Sequence, residues 1–76
     1  MKHKIDVRLH PENHSSLIIT GEMDAGSPRL AIQNLVEAIR DKKGGHLYMP
    51  GGGISHIPYE LLKNALIQAT PVEEKS

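Results

Sequence analysis

Residues 3–9 read HKIDVRL, and apolar and polar side chains alternate strictly along this stretch. A repeat of two residues is typical of a strand that has one buried face. The two sides of the strand differ in chemistry, with Ile5, Val7 and Leu9 on one and Lys4, Asp6 and Arg8 on the other. The stretch therefore predicts a first strand whose aliphatic side faces a core.

The residues that follow predict a hairpin. Residues 10–16 (HPENHSS) are rich in turn formers, and residues 17–20 (LIIT) are apolar and largely β-branched. Pro, Asn and Ser favour turns, whereas β-branched residues favour strands. We therefore expect residues 17–20 to pair back on the first strand, and residues 21–26 to form a polar connection.

A helix is predicted after this connection. Ser27 can accept a hydrogen bond from a first-turn N–H group, and Pro28 has the backbone angle suited to the first helical position. The helix is expected to end at Gly44-Gly45. Its predicted inner stripe consists of Ile32, Leu35, Val36 and Ile39.

The rest of the chain predicts a second hairpin and a second helix. Residues 46–50 and 54–57 are extended pieces on either side of three glycines. A two-residue turn would place Leu47 opposite His56, whereas a three-residue turn places Leu47 opposite Ile57. We expect the second register, because it pairs two apolar side chains. Pro58 then opens a helix, closed by Thr70-Pro71, with the stripe Leu61, Leu62, Ala65, Leu66 and Ala69.

The expected fold is α+β. Residues 1–70 form a single domain in ββαββα order, with a four-stranded, mainly antiparallel sheet and two helices on one face. Residues 71–76 are expected to be a flexible C-terminal tail. The predicted core faces one surface of the sheet and contains Ile5, Val7, Leu35, Val36, Ile39, Leu61, Leu62 and Leu66. Such a sheet leaves an edge open, and an open edge favours pairing with a second copy.

Composition limits the size of the core and the classes of chemistry. The 76 residues include no Phe, no Trp and no Cys, and 38% are hydrophobic. A domain of this size buries only about 60% of the surface of its unfolded chain, so we expect a homo-oligomer. Without cysteine the chain has no disulfide, thiolate nucleophile or zinc–thiolate site.

Charge and hydropathy bear on partners and location. Nine basic and nine acidic residues balance, which disfavours a nucleic-acid partner. No segment has the ~20 apolar residues of a membrane span, and residues 1–8 do not resemble a secretory signal. We therefore expect a cytoplasmic protein without a membrane partner.

A glycine-rich segment is the candidate ligand site. Glycines close to cations can present N–H groups to an anion such as phosphate. The candidate residues are Lys42, Lys43, Gly44, Gly45, His46, Gly51, Gly52 and Gly53. The segment has neither the Walker pattern nor G-x-G-x-x-G. A helix C-cap followed by a hairpin turn would account for all five glycines without any ligand.

Five histidines raise the question of a metal. A metal site requires three or four convergent ligands. His10 and His14 have bridging spacing only on a helix, and Pro11 argues against a helix there. His46 and His56 lie on the second hairpin. We expect surface or strand histidines, no metal and no cofactor.

Catalysis is not expected. Ser55 and His56 are adjacent on a strand, so they point to opposite faces and cannot act on each other. No nucleophile elbow, paired carboxylates or family motif is recognisable. We expect a non-enzymatic interaction module that self-associates and binds or inhibits a macromolecular partner, such as a protein. The alternative is a small-ligand binder that senses or sequesters an anionic metabolite or nucleotide at residues 44–53.

Overall fold

The structure, a computed structural model, is an α+β fold with two antiparallel sheets and three short helices. It describes residues 1–12 and 15–73. The elements are β1 (Lys2–Leu9), β2 (Leu17–Asp24), α1 (Pro28–Ala31), α2 (Gln33–Arg40), β3 (Gly45–Tyr48), β4 (Ile54–Ile57), α3 (Tyr59–Leu62) and β5 (Leu66–Pro71). The α+β class is confirmed, but the order of elements differs from ββαββα.

Strand β1 is the centre of the larger sheet, which has the order β2-β1-β5. The predicted alternation is confirmed, since the odd-numbered side chains of β1 are buried and the even-numbered ones lie on the other face. Strand β2 pairs with β1 as predicted, with Val7 opposite Ile19 and Ile5 opposite Gly21. It continues through residues 21–24, expected to be a connection, because β1 extends far enough to pair with them.

The predicted last helix is wrong beyond its first turn. Only α3 is helical, and residues 66–71 form β5, which pairs antiparallel with β1 from Arg8 opposite Leu66 to His3 opposite Pro71. The apolar residues fit both a helix and a strand. Leu66 and Ala69 belong to a helical stripe, whereas Ile67 and Ala69 alternate with Leu66 and Gln68 as in a strand. The vacant edge of β1 decides between them, because its backbone groups require a partner.

The start of the first helix is as predicted, and its predicted inner face is confirmed except at Val36. Ser27 Oγ accepts a hydrogen bond from the Leu30 N–H at 3.2 Å, and Pro28 occupies the first turn. The helix is interrupted at Ile32 and ends at Arg40, before the expected stop at Gly44. Leu35 is buried, and Ile32 and Ile39 pack against the core. Val36 is half exposed.

The hairpin β3–β4 forms a separate two-stranded sheet, which corrects the prediction of one four-stranded sheet. The hairpin packs against the inner face of the larger sheet, where β3 contacts β2. It packs closely at Gly21, where a Cβ atom would clash with the Leu47 side chain and lie 2.7 Å from the Tyr48 carbonyl oxygen. A glycine is required at this crossing.

The register of this hairpin differs from the expected one. Leu47 lies opposite Ser55 rather than Ile57, and the three-residue loop is residues 50–52 rather than 51–53. Pro50 has the fixed φ that suits the second position of a turn, and Gly51 follows with a φ of 90°, as in a type II turn. The shift of two residues keeps Leu47 and Ile57 on the same buried face.

The core lies between the inner face of the larger sheet, the helices and the hairpin. Its fully buried apolar residues are Ile5, Val7, Leu9, Ala31, Leu35, Leu47, Ile57 and Leu62. Of the predicted core, Ile39 and Leu61 are partly buried, whereas Val36 and Leu66 are half exposed. Leu66 lies on the outer face of the sheet because β5 is a strand.

The segment 71–76 is partly described. Pro71 belongs to β5, and the Val72 N–H donates to the Lys2 carbonyl at 2.9 Å. Residues 74–76 lie outside the described residues, so the predicted tail stays a prediction. Among the residues that are described, no helix is both long enough and apolar enough to span a membrane.

Substitutions at Leu62 and Leu66 distinguish the observed strand from the predicted helix. Leu62→Ala should lower the free energy of unfolding by about 2–5 kcal/mol, because Leu62 is fully buried. Leu66→Ala should lower it by about 1 kcal/mol or less, because Leu66 is half exposed. Urea denaturation measures both. Equal losses would support the helical stripe instead.

Gly21→Ala should destabilise the fold by about 1–3 kcal/mol, since the added methyl group overlaps Leu47 and the Tyr48 carbonyl. Gly26→Ala is the matched control, because its added Cβ would meet only Leu30 at 3.6 Å, an ordinary contact. Chemical denaturation of the two variants tests this. If Gly26→Ala proved as harmful as Gly21→Ala, the close crossing of the hairpin would not be the cause.

Candidate functional site

The outer face of the larger sheet is a candidate interaction surface. Register places its central nine side chains in three rows across β2, β1 and β5. The rows are Ile18–Arg8–Leu66, Thr20–Asp6–Gln68 and Glu22–Lys4–Thr70. We call these nine residues the open face. Seven of them line a shallow recess: Lys4, Asp6, Arg8, Ile18, Thr20, Leu66 and Gln68.

The rows of the open face differ in polarity. Ile18 and Leu66 are 53% and 50% exposed on either side of Arg8, so apolar surface flanks a guanidinium. In the next row the Thr20 hydroxyl donates to the Asp6 carboxylate at 3.0 Å. The open face therefore offers both apolar contact and donors and acceptors at defined positions.

The outer edge of β2 is the second feature of this surface. Within residues 1–12 and 15–73, β1 is the only strand that pairs with β2, which leaves the opposite edge without a backbone partner. Natural edge strands are commonly protected by Lys, Pro, a bulge or short length. Residues 17–20 (LIIT) carry no charge and no Pro, and Leu17 and Ile18 are half exposed. This edge is open to a further strand.

The outer side of helices α1 and α2 is a third exposed surface. Leu30 and Val36 are 53% and 50% exposed there. They line a shallow groove together with Arg29, Ile32, Gln33, Glu37 and Arg40. Gln33 donates to the Glu37 carboxylate at 3.0 Å. This groove therefore offers apolar surface beside charged side chains.

The structure explains Lys42 and Lys43 of the predicted ligand segment as a helix cap. Lys42 has a φ of 57°, and its N–H donates to the Ile39 carbonyl at 3.1 Å. The Lys43 N–H donates to the Ala38 carbonyl at 2.8 Å. These bonds are the Schellman pattern, with Lys42 in the position that glycine usually occupies. Both N–H groups serve the helix end instead of an anion.

The glycines of that segment do not converge. Gly45 is buried, with Leu35 and Leu62 where its Cβ would lie, whereas Gly51 and Gly52 face open space. Four strand residues at about 3.3 Å each place the loop about 13 Å or more from Gly45.

The surroundings of the loop are also unfavourable to an anion. Gly51 and Gly52 share a recess with Lys2, Glu22, Met23, Asp24 and Met49. Gly53 packs against the side chain of Met49. The recess therefore contains two carboxylates and a single cation, and neither Lys42 nor Lys43 lines it.

The histidines occupy separate places. His46 and His56 are directly opposite on the exposed face of the hairpin, with ring centroids 5.1 Å apart. His3 is fully buried, and its Nδ1 donates to the Met1 carbonyl at 3.1 Å. His14 lies outside the described residues. No group of three or more His, Asp or Glu converges as metal ligands among residues 1–12 and 15–73.

The ion pair between Lys63 and Glu60 changes the pKa of Lys63. The pKa of Lys63 is raised, chiefly by its hydrogen bond to the Glu60 carboxylate and also by the charge of that carboxylate. The Lys63 Nζ lies 2.9 Å from Glu60 Oε2 and 5.9 Å from the centre of the Tyr59 ring. The pair spans α3 on the surface, away from the open face.

Sequence reasoning placed only three of the nine residues of the open face. It found Lys4, Asp6 and Arg8, but assigned Leu66 to a helical core stripe and so missed Gln68 and Thr70. The alternation of Ile67 and Ala69 with polar residues, followed by Thr70-Pro71, was the available signal.

Comparisons of the chain with protein-family models, with curated proteins and with solved structures find no match.

Lys42→Gly should raise the free energy of unfolding by about 0.5–1 kcal/mol. Glycine adopts a positive φ without the strain that a Cβ adds, and this gain exceeds its extra entropy in the unfolded chain. Lys43→Gly is the control, because Lys42 is the only non-glycine residue with positive φ among those described. It should give no gain in urea denaturation. Equal gains in both variants would contradict the cap.

Proposed function

We propose that the protein is a small non-enzymatic interaction module that self-associates and acts by binding or inhibiting a macromolecular partner, such as a protein. The observation that carries this proposal is the outer edge of β2, which has no strand partner among residues 1–12 and 15–73 and carries half-exposed Leu17 and Ile18. A sheet edge of this kind binds another strand through main-chain hydrogen bonds.

A second copy of the chain is the proposed strand donor. Two β2 strands can pair antiparallel across a two-fold axis, which makes the contact isologous. If Ile18 lies on this axis, it faces Ile18 of the other copy and Leu17 lies opposite Ile19, so that uncharged positions meet and both open faces lie on one side. In this register, Glu22 and Asp24 of one copy do not lie opposite Glu22 and Asp24 of the other. Like charges directly opposite each other would destabilise the pair.

This pairing joins two three-stranded sheets into one of six strands and doubles the open face. Strands about 4.8 Å apart and about 27 Å long give three strands an area of about 400 Å². Six strands give about 800 Å², the area that each partner contributes to a standard protein interface. The apolar rows with Ile18 and Leu66 extend across it. The doubled open face is the proposed site for the macromolecular partner.

The alternative, an anion binder at residues 44–53, has less support. The Lys42 and Lys43 N–H groups serve the helix end, and the loop glycines lie beside Glu22 and Asp24. Thermal melting with inorganic phosphate and nucleotides separates the two functions. A ligand at 100 times its dissociation constant would stabilise the fold by ~2.7 kcal/mol. A shift that the double variant Lys42→Glu, Lys43→Glu abolishes would favour the alternative.

Light scattering tests self-association directly. The native chain should have a mass at least twice 8.4 kDa. Ile18→Lys should reduce the mass to that of one chain, because a charged side chain at the centre of an edge opposes strand addition. Val36→Lys is the matched control, since Val36 is also half exposed but lies on α2. It should leave the mass unchanged.

Two results would contradict the proposed contact. The first is a native chain that remains a monomer at every concentration. The second is an Ile18→Lys variant that keeps its helix and strand content, by circular dichroism, and still has the native mass.

A further inference from the structure

The cross-strand pair of His46 and His56 brings two imidazole rings together. The hairpin register sets the two residues directly opposite each other, on the face turned away from the core. Their ring centroids are 5.1 Å apart and their planes are tilted by 58°, so the rings are not stacked. Strand pairing thus holds two imidazoles side by side.

The spacing of the rings matches that of two imidazoles on one tetrahedral ion. A Zn–N bond is about 2.0–2.1 Å, so the centre of a coordinated imidazole ring lies about 3.2 Å from the metal. Two such rings at the tetrahedral angle have centres about 5.2 Å apart, whereas two at a right angle have centres about 4.5 Å apart. The observed 5.1 Å agrees with the tetrahedral value.

Both rings are available for ligation. Neither ring forms a hydrogen bond with the part of the chain that the structure describes, and both residues are exposed. The His56 ring also lies against Gly44. A Cβ at Gly44 would be 2.8 Å from Cε1 and 3.0 Å from Nε2 of His56. The missing side chain at Gly44 leaves the space that this ring occupies.

We propose that His46 and His56 form a two-histidine site for a zinc-class divalent cation. Imidazole nitrogen suits zinc and its first-row neighbours, and the register supplies two ligands without rearrangement of the backbone. The other coordination positions stay open for water or for donor groups of a bound molecule. The sequence predicts no metal because a metal site requires three or four convergent ligands. The hairpin register supplies two of them, and the proposal revises that expectation.

Calorimetric titration of Zn²⁺ into the untagged full chain tests the site. We expect one ion per chain, or one per two chains if a second copy fills the open positions. Loss of a group behind a ligand weakens metal binding about 10- to 100-fold, so His46→Asn or His56→Asn should weaken it at least about tenfold. His10→Asn, which removes another exposed histidine, should leave the affinity unchanged.

A second measurement needs no variant. Paramagnetic Co²⁺ added to the native chain should broaden the ring proton signals of His46 and His56 at lower concentration than those of His10. The proposal is overturned if Zn²⁺ binds the native chain no more tightly than it binds the double variant His46→Asn, His56→Asn. It is also overturned if His10→Asn weakens binding as much as His46→Asn, or if Co²⁺ broadens all exposed histidines together.

Discussion

The burial of one face of β1, with a strand on each side of it, is the constraint from which the architecture follows. Ile5 and Val7 are fully buried, and the backbone groups on both edges of β1 are paired with β2 and β5. The hairpin β3–β4 is not part of this sheet and packs against its inner face. That stacking brings Leu47 onto β2 so closely that only Gly21 fits there.

Local sequence was sufficient wherever one period or one cap dominated. The strict alternation in residues 3–9 does not fit the period of a helix, and Ser27-Pro28 is a specific helix start. It was insufficient at residues 66–71, where Leu66, Ile67 and Ala69 satisfy both a helical stripe and a strand. Their conformation is decided by β1, which is distant in sequence, so no local pattern could have settled it.

Local sequence likewise predicts only part of the candidate site. Lys4, Asp6 and Arg8 could be placed on an outer face from alternation alone, but their neighbours Thr20 and Gln68 required the register of two ladders. The sequence indicates that the glycines are cap and turn residues, and this is true of only some of them. The helix cap is Lys42 rather than a glycine, and Gly45 is small because Leu35 and Leu62 fill the space beside it. Close packing of this kind has no signature in a single sequence.

The position of β5 in the chain has a consequence for the order of folding. Residues 10–65 separate β1 from the strand that completes its second edge. At about 5–20 residues per second, synthesis of that interval takes on the order of 3–11 seconds. Until it is finished, the larger sheet can consist only of the β1–β2 hairpin, and a two-stranded hairpin alone is marginal in water. The sheet is therefore built by a late, non-local step of high contact order.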